Sequence, residues 1–121
     1  MTPLGAKLRQ LRDQRGVSLK DMARALNVSS AYLSALEHGH RGRPTFALLQ
    51  RMIAYFNVIW DEAEELQRLA GISDPKVTID TGGMAPEATE LANRLAVEIG
   101  RLSGEDLAFL KTEMMKRTGR R

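Results

Sequence analysis

The chain has 121 residues, 43% hydrophobic and 27% charged, with a net charge of +3, which describes one ordinary globular domain with an appendage and excludes a disordered or fibrous chain. It contains no cysteine, which excludes disulfides and thiolate chemistry. No apolar run approaches the ~18 residues needed to span a bilayer, and Lys7 and Arg9 interrupt the apolar residues after Met1, so no membrane role, no secretory leader and a cytoplasmic location are expected.

Helical periodicity dominates from the start. Leu4, Leu8 and Leu11 recur at i, i+4 and i+7, predicting an amphipathic helix over about 3–14 that Gly16 closes. Ser18 suits an N-cap, with Asp21 three residues on completing a cap pair. The second helix then carries Met22, Ala23 and Leu26 to Asn27, a residue that tolerates the left-handed turn ending a helix. Ser29 caps a third short helix that runs to Gly39, with Leu33, Leu36 and part of Tyr32 on its apolar side. The loop 40–45 is basic and broken by Gly42 and Pro44. Thr45 caps a fourth helix with Leu49, Met52, Ile53 and Phe56, and Asp61 is read as the cap of a fifth, with Glu64 at its third position and Leu66 and Leu69 inside.

Residues 71–85 change character. They are rich in Gly, Asp, Thr and Pro and read as a linker, with an extended stretch around Val77 and Ile79. Pro86 then opens a helix whose stripe is Leu91, Leu95, Ile99 and Leu102. Ser103 and Asp106 form another cap pair, opening a last helix with Leu107, Leu110 and Met114.

The helix 29–38 raises the functional question. Away from its apolar side it carries only Ser30, Ala31, Ser34 and Ala35, whereas solvent-facing helix surfaces ordinarily carry long charged residues. A face of small side chains permits close approach to another surface. With helix 18–27 and the turn Asn27-Val28-Ser29 it makes a helix-turn-helix arrangement, a weak signal alone. Two features sharpen it. The basic loop with His40, Arg41 and Arg43 follows at once, and residues 1–58 carry a net +6 against −3 for residues 59–121. A polyanion partner fits that asymmetry, and the major groove of DNA admits a helix that approaches with its N-terminal residues.

The runs L8-R9-Q10-L11-R12 and V17-S18-L19-K20-D21-M22-A23-R24-A25-L26, continuing through Y32-L33-S34, L36-E37-H38-G39 and R43-P44 to L48-L49, resemble the phage-repressor/Cro-like (XRE-type) helix-turn-helix family over about residues 4–70. The resemblance implies an all-α fold, with a five-helix repressor-like DNA-binding domain over 1–70. The linker 71–85 and a C-terminal helical hairpin over 86–118 complete the expected organisation. It further implies that Ser30, Ala31, Ser34 and Ala35 face base edges. Ser29, Tyr32, His38, His40, Arg41 and Arg43 would lie near phosphates. Glu37 resembles the family's interior acid, whose partner here would be Arg12. Leu19 stands where the family often has Gln, which removes one backbone contact and leaves Lys20 as the substitute. The reading helix also has no Gln, Arg or Asn for bidentate base contacts, so specificity is expected from DNA shape and bridging waters.

Simpler readings exist for several of these residues. Arg41 and Arg43 could be a solvated loop, Lys20 a plain surface charge, and Tyr32 a core residue as much as a phosphate contact. His38 and His40 diverge at a helix end with no third ligand nearby, so no metal is expected. No nucleophile, base and carboxylate constellation or phosphate-binding Gly loop is present, so neither an enzyme nor a cofactor is expected. The basic tail 116–121 reads as a solvated end. The two C-terminal stripes need a partner surface, and a reader of paired half-sites needs two copies about 34 Å apart. Homodimerisation through Leu91, Leu95, Ile99, Leu102, Leu107, Leu110 and Met114 is therefore expected. The sequence thus favours a dimeric repressor on a double-stranded DNA operator. The alternative is an antitoxin-like or adaptor protein whose main role is to bind a protein partner.

Overall fold

The computed structural model describes residues 1–120, so Arg121, the end of the basic tail, lies outside the described residues. The chain is all-helical, with no strand among those residues, and it divides into two compact units, Met1–Val77 and the residues from Thr78 on.

The first unit contains α1 (Pro3–Arg15), α2 (Leu19–Leu26), α3 (Ser30–Glu37), α4 (Phe46–Phe56) and α5 (Asp61–Gly71). Each boundary has a local cause. Thr2, Ser18, Ser29 and Thr45 cap α1 to α4, each accepting a backbone N–H three residues on, which satisfies donors a helix start leaves unpaired. Gly16, Asn27 and Asn57 close α1, α2 and α4 in the left-handed region, where glycine and asparagine carry the least strain. The fifth helix departs from the sequence reading. Its cap position is Trp60, with φ 52 and no side-chain cap bond, and Asp61 is the first helical residue. Asp61, Glu62 and Glu64 instead place charge in the first turn, where the helix dipole favours it.

The core joins Leu4, Leu8 and Leu11 of α1, Met22 and Leu26 of α2, Leu33 and Leu36 of α3, Leu48, Met52 and Phe56 of α4, and Leu66 of α5. Arginines tie the elements where apolar contact ends. Arg51 donates to the Leu26 carbonyl at 2.8 Å, and Arg15 bonds the Phe56 carbonyl while its guanidinium lies over that ring. Both carbonyls end helices whose last C=O groups have no partner within the helix.

One contact is set by the absence of a side chain. Gly5 presses against α3 so closely that a Cβ would stand 2.2 Å from the Glu37 carbonyl oxygen. The same oxygen accepts the Thr2 N–H at 2.9 Å. Ser73, inside the stretch read as a linker, is buried in the first unit. Its hydroxyl accepts the Leu4 N–H at 2.9 Å and donates to the Leu69 carbonyl at 2.5 Å.

The second unit contains α6 (Pro86–Glu98), a 3₁₀ turn (Ile99–Arg101) and α7 (Gly104–Thr118). Pro86 occupies the first turn of α6. Ser103 and Asp106 close a reciprocal capping box at the start of α7, and the Ser103 N–H bonded to Asp106 holds that carboxyl below its ordinary range. Neither helix contains a buried residue. Leu91, Ile99, Leu107, Leu110 and Met114 are exposed, and Leu95 and Leu102 are half-buried. No strand forms at Val77 or Ile79, and both side chains are exposed. Among the described residues no helix is long and apolar enough to cross a membrane.

Candidate nucleic-acid interface

The arrangement is built from the turn outward. The left-handed Asn27 ends α2, and the Val28 N–H bonds back to the Ala23 carbonyl at 3.0 Å, so the chain reverses over Asn27-Val28-Ser29. Ser29 Oγ then accepts the Tyr32 N–H at 3.0 Å and starts α3 at once. Leu33 and Leu36 anchor α3 in the core.

The back of α3 is fixed by charge as well as packing. Glu37 is 2% exposed and pairs with Arg12, itself 8% exposed, and one nitrogen of that guanidinium also reaches the Met22 sulfur. A carboxylate so placed is stable only with its cation beside it. With the Gly5 approach and the Thr2 bond, three separate contacts meet at the last residue of α3.

The front of α3 is different. Ala31 is exposed, Ser30, Ser34 and Ala35 are half-exposed, and none of the four side chains is larger than serine. Lys20 is exposed at the second residue of α2. Leu19 beside it is half-buried and packs against the core, which gives an apolar role to the position where the sequence pattern departs from the family.

The loop after α3 carries the cations. The Nδ1 of His38 stands 2.8 Å from the Ser34 carbonyl, so Nδ1 carries the proton in that bond and Nε2 remains unengaged by it. Gly39 turns the chain at φ 82, and the His40 N–H bonds to the Ala35 carbonyl at 2.9 Å. His38, His40, Arg41 and Arg43 are all exposed, while Pro44 is buried and moors the loop. The Arg41 guanidinium lies over the Tyr32 ring, 5.6 Å from its centroid. Tyr32 is half-buried, with part of its ring against the core.

The structure therefore gathers Tyr32, Arg41 and the small residues of α3 on connected backbone, with Arg12 and Glu37 paired behind them. Sequence reasoning missed two structural participants, Gly5 and Ser73, and one exposed aromatic. Gly5 has no short-range signal, because its need appears only where two helices cross. Ser73 lies in a polar stretch that reads as loop. Phe46, 76% exposed at the first residue of α4 and three residues after Arg43, sits outside the apolar stripe of its helix. Among the described residues no group of three or more His, Asp or Glu side chains could hold a metal ion.

A family model described as helix-turn-helix domain matches residues 3–66. Over 71 residues, 59% of this chain, the sequence is 35% identical to an uncharacterized HTH-type transcriptional regulator, RghRB, of Bacillus subtilis. Over 52 residues, 43% of this chain, it is 42% identical to the HTH-type transcriptional regulator DdrOP3 of Deinococcus deserti. The matches cover 49% and 40% of those proteins, so the chain spans about half or less of the curated relatives it matches. A solved SinR protein/SinI protein complex aligns over 95% of this chain and 98% of that chain, with 21% identity and a TM-score of 0.44.

Proposed function

The chain belongs to the helix-turn-helix domain family, and on that footing we propose that it is a sequence-specific, double-stranded-DNA-binding transcriptional regulator. It acts in the cytoplasm as a homodimeric repressor, and α3 enters the major groove of each operator half-site. One observation carries the reading. A helix whose back is fixed to the core presents an outer face of Ser30, Ala31, Ser34 and Ala35, flanked by exposed His38, His40, Arg41 and Arg43. Long side chains on that face would hold the backbone away from base edges, and cations at its end can take phosphates.

The division of labour follows from chemistry. Lys20, Ser29, Tyr32, His38, His40, Arg41 and Arg43 position the helix on the backbone, which gives affinity and register. Ser30 and Ser34 each offer one hydroxyl to a base edge, and Ala31 and Ala35 can pack on thymine methyls. No side chain on that face makes a bidentate base contact, so each half-site is weak and groove shape supplies part of the discrimination. Two half-sites are then needed, and the exposed apolar residues of α6 and α7 supply a surface on which a second copy can assemble.

The same exposed faces favour a second reading, in which α6 and α7 receive a different protein and DNA binding is secondary. Selection of bound genomic fragments followed by footprinting at several salt concentrations tests the first reading. The expected result is protection of an inverted repeat with half-sites a helical turn or so apart and steep salt dependence. No enrichment at moderate salt refutes it. Sedimentation of the free protein at micromolar concentration separates the occupants of the C-terminal faces, since a monomer there points to a different protein.

A further inference from the structure

We infer that Tyr32 is a positioning residue for Arg41: its ring holds the guanidinium on the α3 side of the basic loop, so that the two act as one phosphate clamp. The inference rests on the DNA-binding reading above and goes beyond it by coupling two residues otherwise counted as separate contacts.

The observation is the Arg41 guanidinium over the Tyr32 ring, its carbon 5.6 Å from the centroid. The ring is not free to leave. Its backbone N–H is bonded to Ser29, and part of the ring is packed against the core. Arg41 is exposed, with Gly39 at φ 82 and Gly42 on either side. An arginine on such a loop would sample many rotamers, and ordering it on a phosphate costs rotamer entropy. A planar guanidinium on an aromatic face is held by cation–π attraction while its N–H edge stays open for hydrogen bonding. Lysine lacks the planar group and cannot replace it in this way.

Three substitutions and one cycle test the clamp on the purified 121-residue chain with an operator duplex from the selection above. Tyr32→Phe keeps the ring and should lose clearly less affinity than Tyr32→Leu. Tyr32→Leu should weaken binding about two- to fivefold, the size of an exposed cation–π contact, and Arg41→Lys, which keeps a cation but loses the planar fork, should weaken it measurably. Arg41→Ala should cost clearly less in the Tyr32→Leu background than in wild type, so the double variant shows coupling. In the free protein, the Arg41 Hδ resonances should lie upfield from ring current and return to random-coil positions in Tyr32→Leu. Binding is compared below the melting temperature of every variant, which separates the clamp from the packing role of Tyr32.

Independent losses in the double variant overturn the inference, as does wild-type affinity in Arg41→Lys. If Tyr32→Phe loses as much as Tyr32→Leu, the hydroxyl is the working group and the ring anchor is wrong. A wild-type protein that binds no duplex at any salt refutes the DNA-binding reading itself and the clamp with it. That outcome is recognised before any substitution is made.

Discussion

Replacing Gly5 with alanine adds one methyl group at the place where α1 and α3 come closest. The new Cβ would stand 2.2 Å from the Glu37 carbonyl oxygen and 2.7 Å from its Cα, roughly 1 Å inside ordinary contact. Both sides of that contact are backbone, so no side-chain rotation relieves it, and α1 must retreat from α3. The retreat stretches the Thr2 N–H bond to the same oxygen, now 2.9 Å, beyond hydrogen-bonding range. Overpacking of this kind costs about 1–3 kcal/mol, and the lost bond to a buried carbonyl adds about 1 kcal/mol. Better helix propensity returns about 1 kcal/mol, leaving a destabilisation of roughly 1–3 kcal/mol. For a unit of this size that lowers the melting temperature by about 4–24 °C. Thermal and urea unfolding followed by circular dichroism measure it. Gly71→Ala is the control, because nothing lies within 4 Å of its added Cβ and the backbone there is not left-handed. It should change stability little or raise it by a few tenths of a kcal/mol. If Gly5→Ala melts within about 3 °C of wild type, the close approach is not rigid and the reasoning fails.

Four further outcomes are expected. Glu37→Gln leaves Arg12 buried without its carboxylate and should destabilise the first unit by about 3 kcal/mol in urea; a double Arg12→Met, Glu37→Leu variant that is no more stable than Glu37→Gln contradicts this. Arg41→Ala with Arg43→Ala should flatten the slope of log K against log salt by about two units, and an unchanged slope removes both from the phosphate contacts. Truncation after Val77 should leave thermal unfolding of the first unit intact while abolishing cooperative binding to paired half-sites in gel shifts. Retained cooperativity would place dimerisation in the first unit. Single base-pair changes within a half-site should cost under about 1 kcal/mol each by fluorescence anisotropy, since no bidentate side chain is present; a position costing 3 kcal/mol would reveal a base contact the outer face of α3 does not supply.

The fold was legible where short-range chemistry decides it. Ser18 with Asp21, Ser29, Thr45, and Ser103 with Asp106 each sit at a helix start with a bond to a nearby N–H, and such bonds span only three residues, so they are written locally. Asp61 shows the limit of this logic. It is a good capping residue, yet the chain enters α5 through Trp60 at positive φ, two residues after Val58 is buried in the core. Gly5 and Ser73 were illegible for a related reason. Their partners lie 32 and 69 residues away, and no window along the chain contains both ends. The apolar stripes of α6 and α7 could be read as stripes, but periodicity says which residues share a face and not what covers it. The placement of Arg41 over Tyr32 falls between these cases: the sequence offers both residues as candidate polyanion contacts, while their mutual geometry depends on how Gly39 turns the loop.

On the proposed DNA-binding reading, the back of α3 and its front answer one requirement. A helix that reads DNA through serine and alanine reaches base edges only if its backbone comes close, and small errors in its placement then matter more than they would for a long, adaptable arginine. Rigid seating substitutes for reach. The contacts that provide it converge on a single residue: Glu37 takes the Arg12 guanidinium by its side chain, the Thr2 N–H by its carbonyl, and the bare Cα of Gly5 against that same carbonyl. Ser73 extends the seating by joining the Leu4 N–H to the end of α5, a few residues before the first unit ends at Val77. Loosening any of these should therefore weaken operator binding by more than the stability loss alone accounts for, because the outer face tolerates little displacement before its short side chains lose the groove.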